Sequence, residues 1–312
     1  MRKVKLFSNS KEKSHRQGSL VHSLLKIIAI IFCLSAVGVF VFNNFMTKIS
    51  VEESTKSSMK ETVQYYNLQL SNWLQIRVQQ LQLLQHSVQQ LSASELTREN
   101  LQPLVESSTE YATDYGVVSD YVVLPDKTMI SGDGWIPDAG YDPTQNDYYT
   151  QAQTSGVYVS QTYVDATTKD FVITISVPLT INGQFHGIVG RDVRMQEVQS
   201  ILTSYASEDG SYLYLIDGSG SILSHKNPNF QTSDSKAVTV SDAGLPVLQE
   251  ALNKNTLSKD YDGAKKYYYA QQDSLSGWIV GLVYPESIVQ QEIFQQASGS
   301  LVIFAAAVIV GL

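Results

Sequence analysis

Cysteine is nearly absent: the one thiol among 312 residues is Cys33, so no intramolecular disulfide is available and stability has to come from buried core. Basic side chains are in the minority, 22 Lys and Arg against 30 Asp and Glu, for a net charge of −8. That balance argues against nucleic acid as a partner. Enzymatic signatures are lacking too, with no GxSxG elbow, HExxH pair, P-loop or dinucleotide fingerprint. His186 and His225 are isolated from the companions that a zinc site requires. The expectation is a protein that is not an enzyme and uses neither metal nor cofactor. Proline and glycine are missing from Val51 to Leu91, which excludes a turn there.

What is present first is apolar length. Leu24 to Phe45 carries a single charge, Lys26, at its edge. A helix needs roughly 20 such residues to cross the hydrocarbon layer, because each backbone amide must be satisfied within the segment. A cleaved signal peptide would have a shorter apolar region and a small-residue cleavage site, so this run reads as an uncleaved span. Leu301 to Leu312 is apolar as well but too short to cross alone, and reads as the start of a second span followed by a cytoplasmic signalling module. Seven basic residues and one acid precede Ile27, a local +6 that leaves −14 for the rest of the chain. The positive-inside rule then places the N-terminus in the cytoplasm and the intervening region outside a cell membrane crossed more than once.

The outer region opens on helical periodicity. Leu70, Leu74, Val78, Leu81, Leu84, Val88 and Leu91 recur at steps of three and four, flanked by Gln75, Gln79, Gln80, Gln82, Gln85, Gln89 and Gln90. This is a stalk helix that packs on its own domain, on a second subunit of a homodimer, or on both. Arg98 to Tyr111 reads as a shorter helix and Val117 to Leu124 as a strand. A short strand in PDKTMISGDGW, a loop and helix in YDPTQNDYYTQAQ, a strand over Phe171 to Leu179 and a returning strand after Asn182-Gly183 complete one unit. The same grammar recurs: a helical connector at Met195 to Tyr205, strands in GSYLYLIDGSGSILSH, a helix over Ala243 to Leu252, strands at Lys265 to Gln272 and Gly277 to Tyr284, and a helix from Pro285 to Gln296. The fold class is α+β, a long N-terminal helix flanking two tandem PAS-like antiparallel modules between two transmembrane helices. The expected divisions are a basic tail at 1–23, a span at 24–45, a stalk at 46–95, a membrane-distal module at 96–195, a proximal module at 196–297 and a second span from 298.

At these residues the chain resembles the double Cache sensor family, the extracytoplasmic ligand-binding regions of bacterial chemoreceptors, histidine kinases and diguanylate cyclases. YDPTQNDYYTQA is similar to the stretch in which a DPR-type segment precedes a Trp-Tyr pair and a helix, TYVDATTKDFVITISVPL to the following strand-turn-strand, and GIVGRDV to the strand ending in a functional aspartate. The resemblance implies a methyl-accepting chemoreceptor, or failing that a kinase or cyclase sensor, with a small extracellular ligand and the membrane lipid as partners. A membrane-anchored hydrolase or adhesin is the alternative from another class. Carried over position by position, the ligand site comprises Tyr141, Asn146, Tyr148, Tyr149, Tyr163, Asp165 and Asp192. Asp165 and Asp192 would hold an amine, and the tyrosines would offer aromatic faces and hydroxyls. Tyrosine is abundant, so each also reads as packing, and Asp165 also reads as a turn residue. An acid at the end of an apolar strand, Asp192, is expensive to bury without a partner. Where the family motif has arginine this chain has Asn146, and where it has tryptophan it has Tyr148. Losing the guanidinium removes the bidentate carboxylate contact, which shifts the expected ligand from α-amino acids toward amines or other small polar molecules.

Overall fold

A computed structural model describes residues 4–165, 168–205, 207, 209–233 and 236–311. It divides into two compact units, Met1–Thr55 with Ser287–Leu312, and Lys56–Glu286. In chain order the elements are helices α1 (Val4–Gln89) and α2 (Arg98–Ala112), strands β1 (Val117–Val123) and β2 (Met129–Ser131), helix α3 (Asp147–Ser155), strands β3 (Tyr158–Val159), β4 (Tyr163–Val164), β5 (Phe171–Ile181) and β6 (Gln184–Arg194), and helix α4 (Met195–Thr203). Then follow β7 (Tyr212–Ile216), β8 (Ile222–Ser224), the short α5 (Val247–Glu250), β9 (Thr256–Lys259), β10 (Lys265–Gln272), β11 (Ile279–Pro285) and the final helix α6 (Glu286–Gly311).

The first unit is helical and apolar. Leu24, Ile31 and Phe42 stay exposed, Leu24 at 62 %, while Phe40 and Phe304 bring their rings to 4.9 Å. One stretch of α1 is long and apolar enough to cross a membrane. Large exposed apolar side chains along such a stretch are what a lipid environment accommodates and water does not. Val4–Gln89 is a single unbroken helix, because no proline in this segment removes a backbone donor.

Two antiparallel sheets make the second unit, and their topologies match. The one earlier in the chain, labelled distal, runs β2-β1-β6-β5-β3 with β4 also on β5, and the later one, labelled proximal, β8-β7-β11-β10-β9. Each has its longest strands at the centre, and the hairpin β5–β6 closes on Asn182 and Gly183, both at positive φ, as the type I′ turn demands. The α1 stripe is buried at Leu70, Leu74, Val78, Leu81, Leu84 and Val88, with Leu91 half-buried. Its glutamines bond the sheet: Gln85 donates to the Pro178 carbonyl at 2.5 Å and Gln89 to that of Thr180 at 3.0 Å. The strand register shifts between Pro178 and Thr180, which frees those carbonyls from the ladder.

Two details differ from the sequence reading. The helix expected over Ala243 to Leu252 shrinks to α5, since Gly244 adopts φ 66° and Pro246 disfavours helical geometry at the residue before it. The edge strand β9, half-exposed and without a continuous apolar run, was not among the expected elements. The turn expected at Ala166 to Lys169 lies partly outside the described residues; in its described part Thr168 and Lys169 donate backbone N–H groups to Asp165.

Candidate functional site

The distal sheet carries a cavity of about 560 Å³. Its floor is built by register: Asp192 on β6 faces Ser119 on β1 and Thr174 on β5. Thr174 donates its hydroxyl to Asp192 Oδ1 at 2.6 Å and Tyr121 contributes a longer bond of 3.3 Å. The Tyr163 hydroxyl lies 2.8 Å from that of Thr174 and extends the chain outward. Asp192 is 8 % exposed, and burial, reinforced by the charge of Asp165, pushes its carboxyl up to about 7 against the hydrogen bonds that favour ionisation. Among the described residues no cation is paired with this carboxylate, and an ammonium would supply one.

The opposite wall comes from α3 and the loop before it. Asn146 caps α3 but its side chain makes no capping bond to the helix backbone. Instead it donates its amide to the hydroxyls of Tyr141 and Tyr148, both at 3.0 Å, and those hydroxyls meet each other at 2.8 Å. A capping residue that forgoes its cap gives up about 1 kcal/mol of helix stability, so this ring of three polar groups is held for another reason. Ser176 fixes the first turn of α3 to the sheet by donating to the Tyr148 carbonyl at 2.7 Å. Burial pushes the Tyr148 and Tyr163 phenols far above their ordinary range, so both are neutral donors and acceptors.

Six of the seven expected residues line one cavity: Tyr141, Asn146, Tyr148, Tyr163, Asp165 and Asp192. Tyr149 is the correction. It is buried in the core with its ring edge-on to Phe185 at 5.6 Å, because one residue of helix turns it about 100° away from Tyr148. Asp165 lines the cavity and also accepts from Thr168, so its turn role and its cavity position coexist. Arg191, beside Asp192, points through the opposite face of the sheet, where Asp120 takes it in a two-pronged bond of 2.6 and 2.8 Å and Gln80 of α1 accepts from it at 3.1 Å.

The expected set omitted Tyr121, Trp135, Tyr158, Thr174 and the acids Asp133, Asp138 and Asp147. Trp135 was findable: a large aromatic in the turn-rich segment SGDGWIPDAG stands outside any helix or strand pattern. Tyr121 and Thr174 were not, because strand residues in apolar runs reveal their cavity only once partner strands are known. Among the described residues no group of His, Cys, Asp and Glu is placed to hold a metal ion.

A long helix beside two sheets of one topology, with a ligand-sized cavity in the first, defines a tandem sensory ligand-binding region. Residues 47–293 match the Cache domain family of the dCache_1 type, and the chain belongs to that family, one of sensor domains rather than of enzymes. It is 27 % identical over 201 residues to the methyl-accepting chemotaxis protein PscA of Pseudomonas syringae pv. tomato, covering 64 % of this chain and 31 % of that protein. The chain thus spans about a third of the length of the curated relatives it matches. Among solved structures, it resembles the ligand-binding domain of the Pseudomonas aeruginosa amino acid chemoreceptor PctC in complex with GABA, with a TM-score of 0.61, 19 % identity and coverage of 74 % of this chain and 99 % of the other. The ligand-binding domain of the Pseudomonas fluorescens chemoreceptor CtaA with L-isoleucine gives a TM-score of 0.63, 18 % identity and coverage of 79 % and 99 %. These structural likenesses establish the shared fold.

Proposed function

We propose that this chain is the sensing region of a transmembrane chemoreceptor whose distal module binds a small amine outside the cell membrane. One observation carries the reading: the cavity is lined by five aspartates and by no Lys, Arg or His. In such a setting Asp192 takes the ammonium, the phenols of Tyr148 and Tyr163 surround it, and Asn146, its amide already engaged by two hydroxyls, offers nothing to a ligand carboxylate. The site is read as one that binds, in keeping with a family of sensor domains. Boundaries near 95 and 195 separate stalk, distal module and proximal module, and a second span begins near 298. The N-terminal positive charge sets the cytoplasmic side. A second copy pairs along α1, where Tyr65, Leu68, Ile76 and Leu83 leave an apolar stripe exposed. Ligand-induced change passes to α6, which runs without interruption from Glu286 to Gly311 into its apolar segment.

Thermal-shift and calorimetric titration of the full chain in nanodiscs with alkylamines, α-amino acids and small carboxylates tests this. Amines should raise the melting point, carboxylates should not, and Asp192→Asn should weaken amine binding about 10- to 100-fold. Amine binding that is undiminished in Asp192→Asn, or absent altogether, would refute the reading. In a chain joined to a chemotaxis output module, four glycines inserted after Ser298 should silence signalling with ligand affinity intact.

A further inference from the structure

The five carboxylates that line the cavity lie at two depths. Asp192 and Asp165 are 8 % and 9 % exposed, on and beside the central strands that make the floor. Asp133, Asp138 and Asp147 are exposed and sit on the opposite wall, the first two in the loop after β2 and the third opening α3. The rest of the lining includes aromatic rings, with Tyr121 edge-on to Tyr148 at 5.8 Å and Trp135 edge-on to Tyr141 at 5.5 Å, beside hydroxyl and amide side chains.

One ammonium satisfies the floor and leaves the upper carboxylates facing the same cavity with no cationic side chain among its lining residues. Lys127, upstream of the upper acids, pairs with Asp142 at 2.8 Å, and Arg191, next to Asp192, pairs with Asp120 behind the sheet. Of the upper acids, Asp133 spends one oxygen on its own loop, accepting from Ser131 at 2.6 Å and from the Trp135 amide at 3.0 Å. Its other oxygen, with the carboxylates of Asp138 and Asp147, is where a second positive charge would gain most. An apolar spacer between two charges would lie against the rings of that lining.

Resting on the amine reading above and deepening it, we infer that the ligand is an organic dication, a diamine whose inner ammonium meets Asp192 and whose outer ammonium meets Asp133, Asp138 and Asp147 across a spacer held by Tyr148 and Trp135. A monoamine fills only the inner half. A carboxylate at the far end meets three acids and is repelled.

The test uses three probes of equal length that differ only at one end, 1,4-diaminobutane, butylamine and 4-aminobutanoate, together with the three- and five-carbon diamines. Each is titrated calorimetrically into the full chain in nanodiscs at low and at physiological salt. The diamine of best length should bind at least about tenfold tighter than butylamine, with 4-aminobutanoate weakest. The diamine advantage should shrink with salt, because its outer contact is solvent-exposed. In the triple variant Asp133→Asn, Asp138→Asn, Asp147→Asn the gap between diamine and monoamine should close. Butylamine binding as tightly as every diamine would overturn the inference and leave the amine reading standing, as would a gap that survives in the triple variant. If 4-aminobutanoate binds tightest, the inference fails likewise. Should none of the probes bind, both readings fall together.

Discussion

Val283 occupies in the proximal sheet the place that Asp192 holds in the distal one. Each stands two residues beyond a glycine, Gly281 or Gly190, and each glycine is paired across the strands with a tyrosine, Tyr214 or Tyr121. Around Asp192 the facing residues are Ser119 and Thr174; around Val283 they are Tyr212 and Tyr268. The small polar side chains of the first sheet leave room above its floor. Large rings fill the same room in the second, where Tyr268 and Val283 are fully buried. One backbone plan thus yields a cavity in one module and packed core in the other, by exchange of side chains at three register positions.

That equivalence makes the acid intolerable in the second sheet. Val283→Asp would bury a carboxylate among tyrosines and aliphatic residues, and should destabilise the chain by several kcal/mol, on the order of 3 or more. Denaturant titration of the far-ultraviolet circular dichroism gives the number, and a loss under about 1 kcal/mol would contradict the equivalence.

The glycines are needed for a steric reason. A methyl group at Gly190 would run into the ring of Tyr121, and one at Gly281 into that of Tyr214. Gly190→Ala and Gly281→Ala should each cost about 1–3 kcal/mol of stability. Only the first should also weaken ligand binding, because Tyr121 reaches Asp192. Paired melting curves and titrations check both halves of this statement.

The affinity for an amine should depend on pH in a definite direction. Asp192 must be ionised to hold an ammonium, its carboxyl lies near 7, and the groups facing it are Asp165, Tyr163, Thr174 and Tyr121. Protonation below that value competes with ligand, so affinity should rise from pH 5.5 to pH 8, with the steepest change near pH 7. Stability of the ligand-free chain runs the other way. Because the folded carboxyl titrates above its ordinary value of 3.8, ionising it lowers stability progressively between there and about 7. Calorimetry and melting at five pH values give both slopes; an affinity that falls with pH would exclude Asp192 as the ammonium's partner.

Behind the sheet, Asp120 and Arg191 form a pair at 0 % and 2 % side-chain exposure. Asp120→Ala strands a buried guanidinium and should cost about 3–5 kcal/mol. Gln80→Ala removes a single bond from α1 to the same group and should cost nearer 1 kcal/mol. Equal losses in chemical denaturation would mean that the helix contact, not the charge pair, fixes that face.

Replacing Asn146 by arginine puts a positive charge among the cavity's aspartates and breaks the ring it forms with Tyr141 and Tyr148. Amine affinity should fall about tenfold or more through repulsion, and an α-amino acid such as L-serine should begin to bind through its carboxylate. Calorimetry with both ligand classes decides it; unchanged amine binding would place Asn146 away from the ligand.

Much of this molecule is set by local order in the sequence. The heptad-like stripe from Leu70 to Val88, the absence of proline and glycine beside it, the Asn182-Gly183 turn and the strand grammar on either side are short-range signals, each with one physical solution, and each stands in the structure as read. The segment YDPTQNDYYTQA announced a site for the same reason, as a motif contained in a dozen residues. Only tertiary structure decided which side chains face the cavity. Tyr148 and Tyr149 are adjacent and chemically identical, and one helical step of about 100° sends one to the cavity and the other into the core. Thr174 and Asp192 meet because β5 and β6 pair in a particular register, and Arg191 is lost to the site because alternate residues of a strand face opposite ways. Composition gives the charge of the chain; only the fold brings five acids to line one cavity with no Lys, Arg or His among its lining residues.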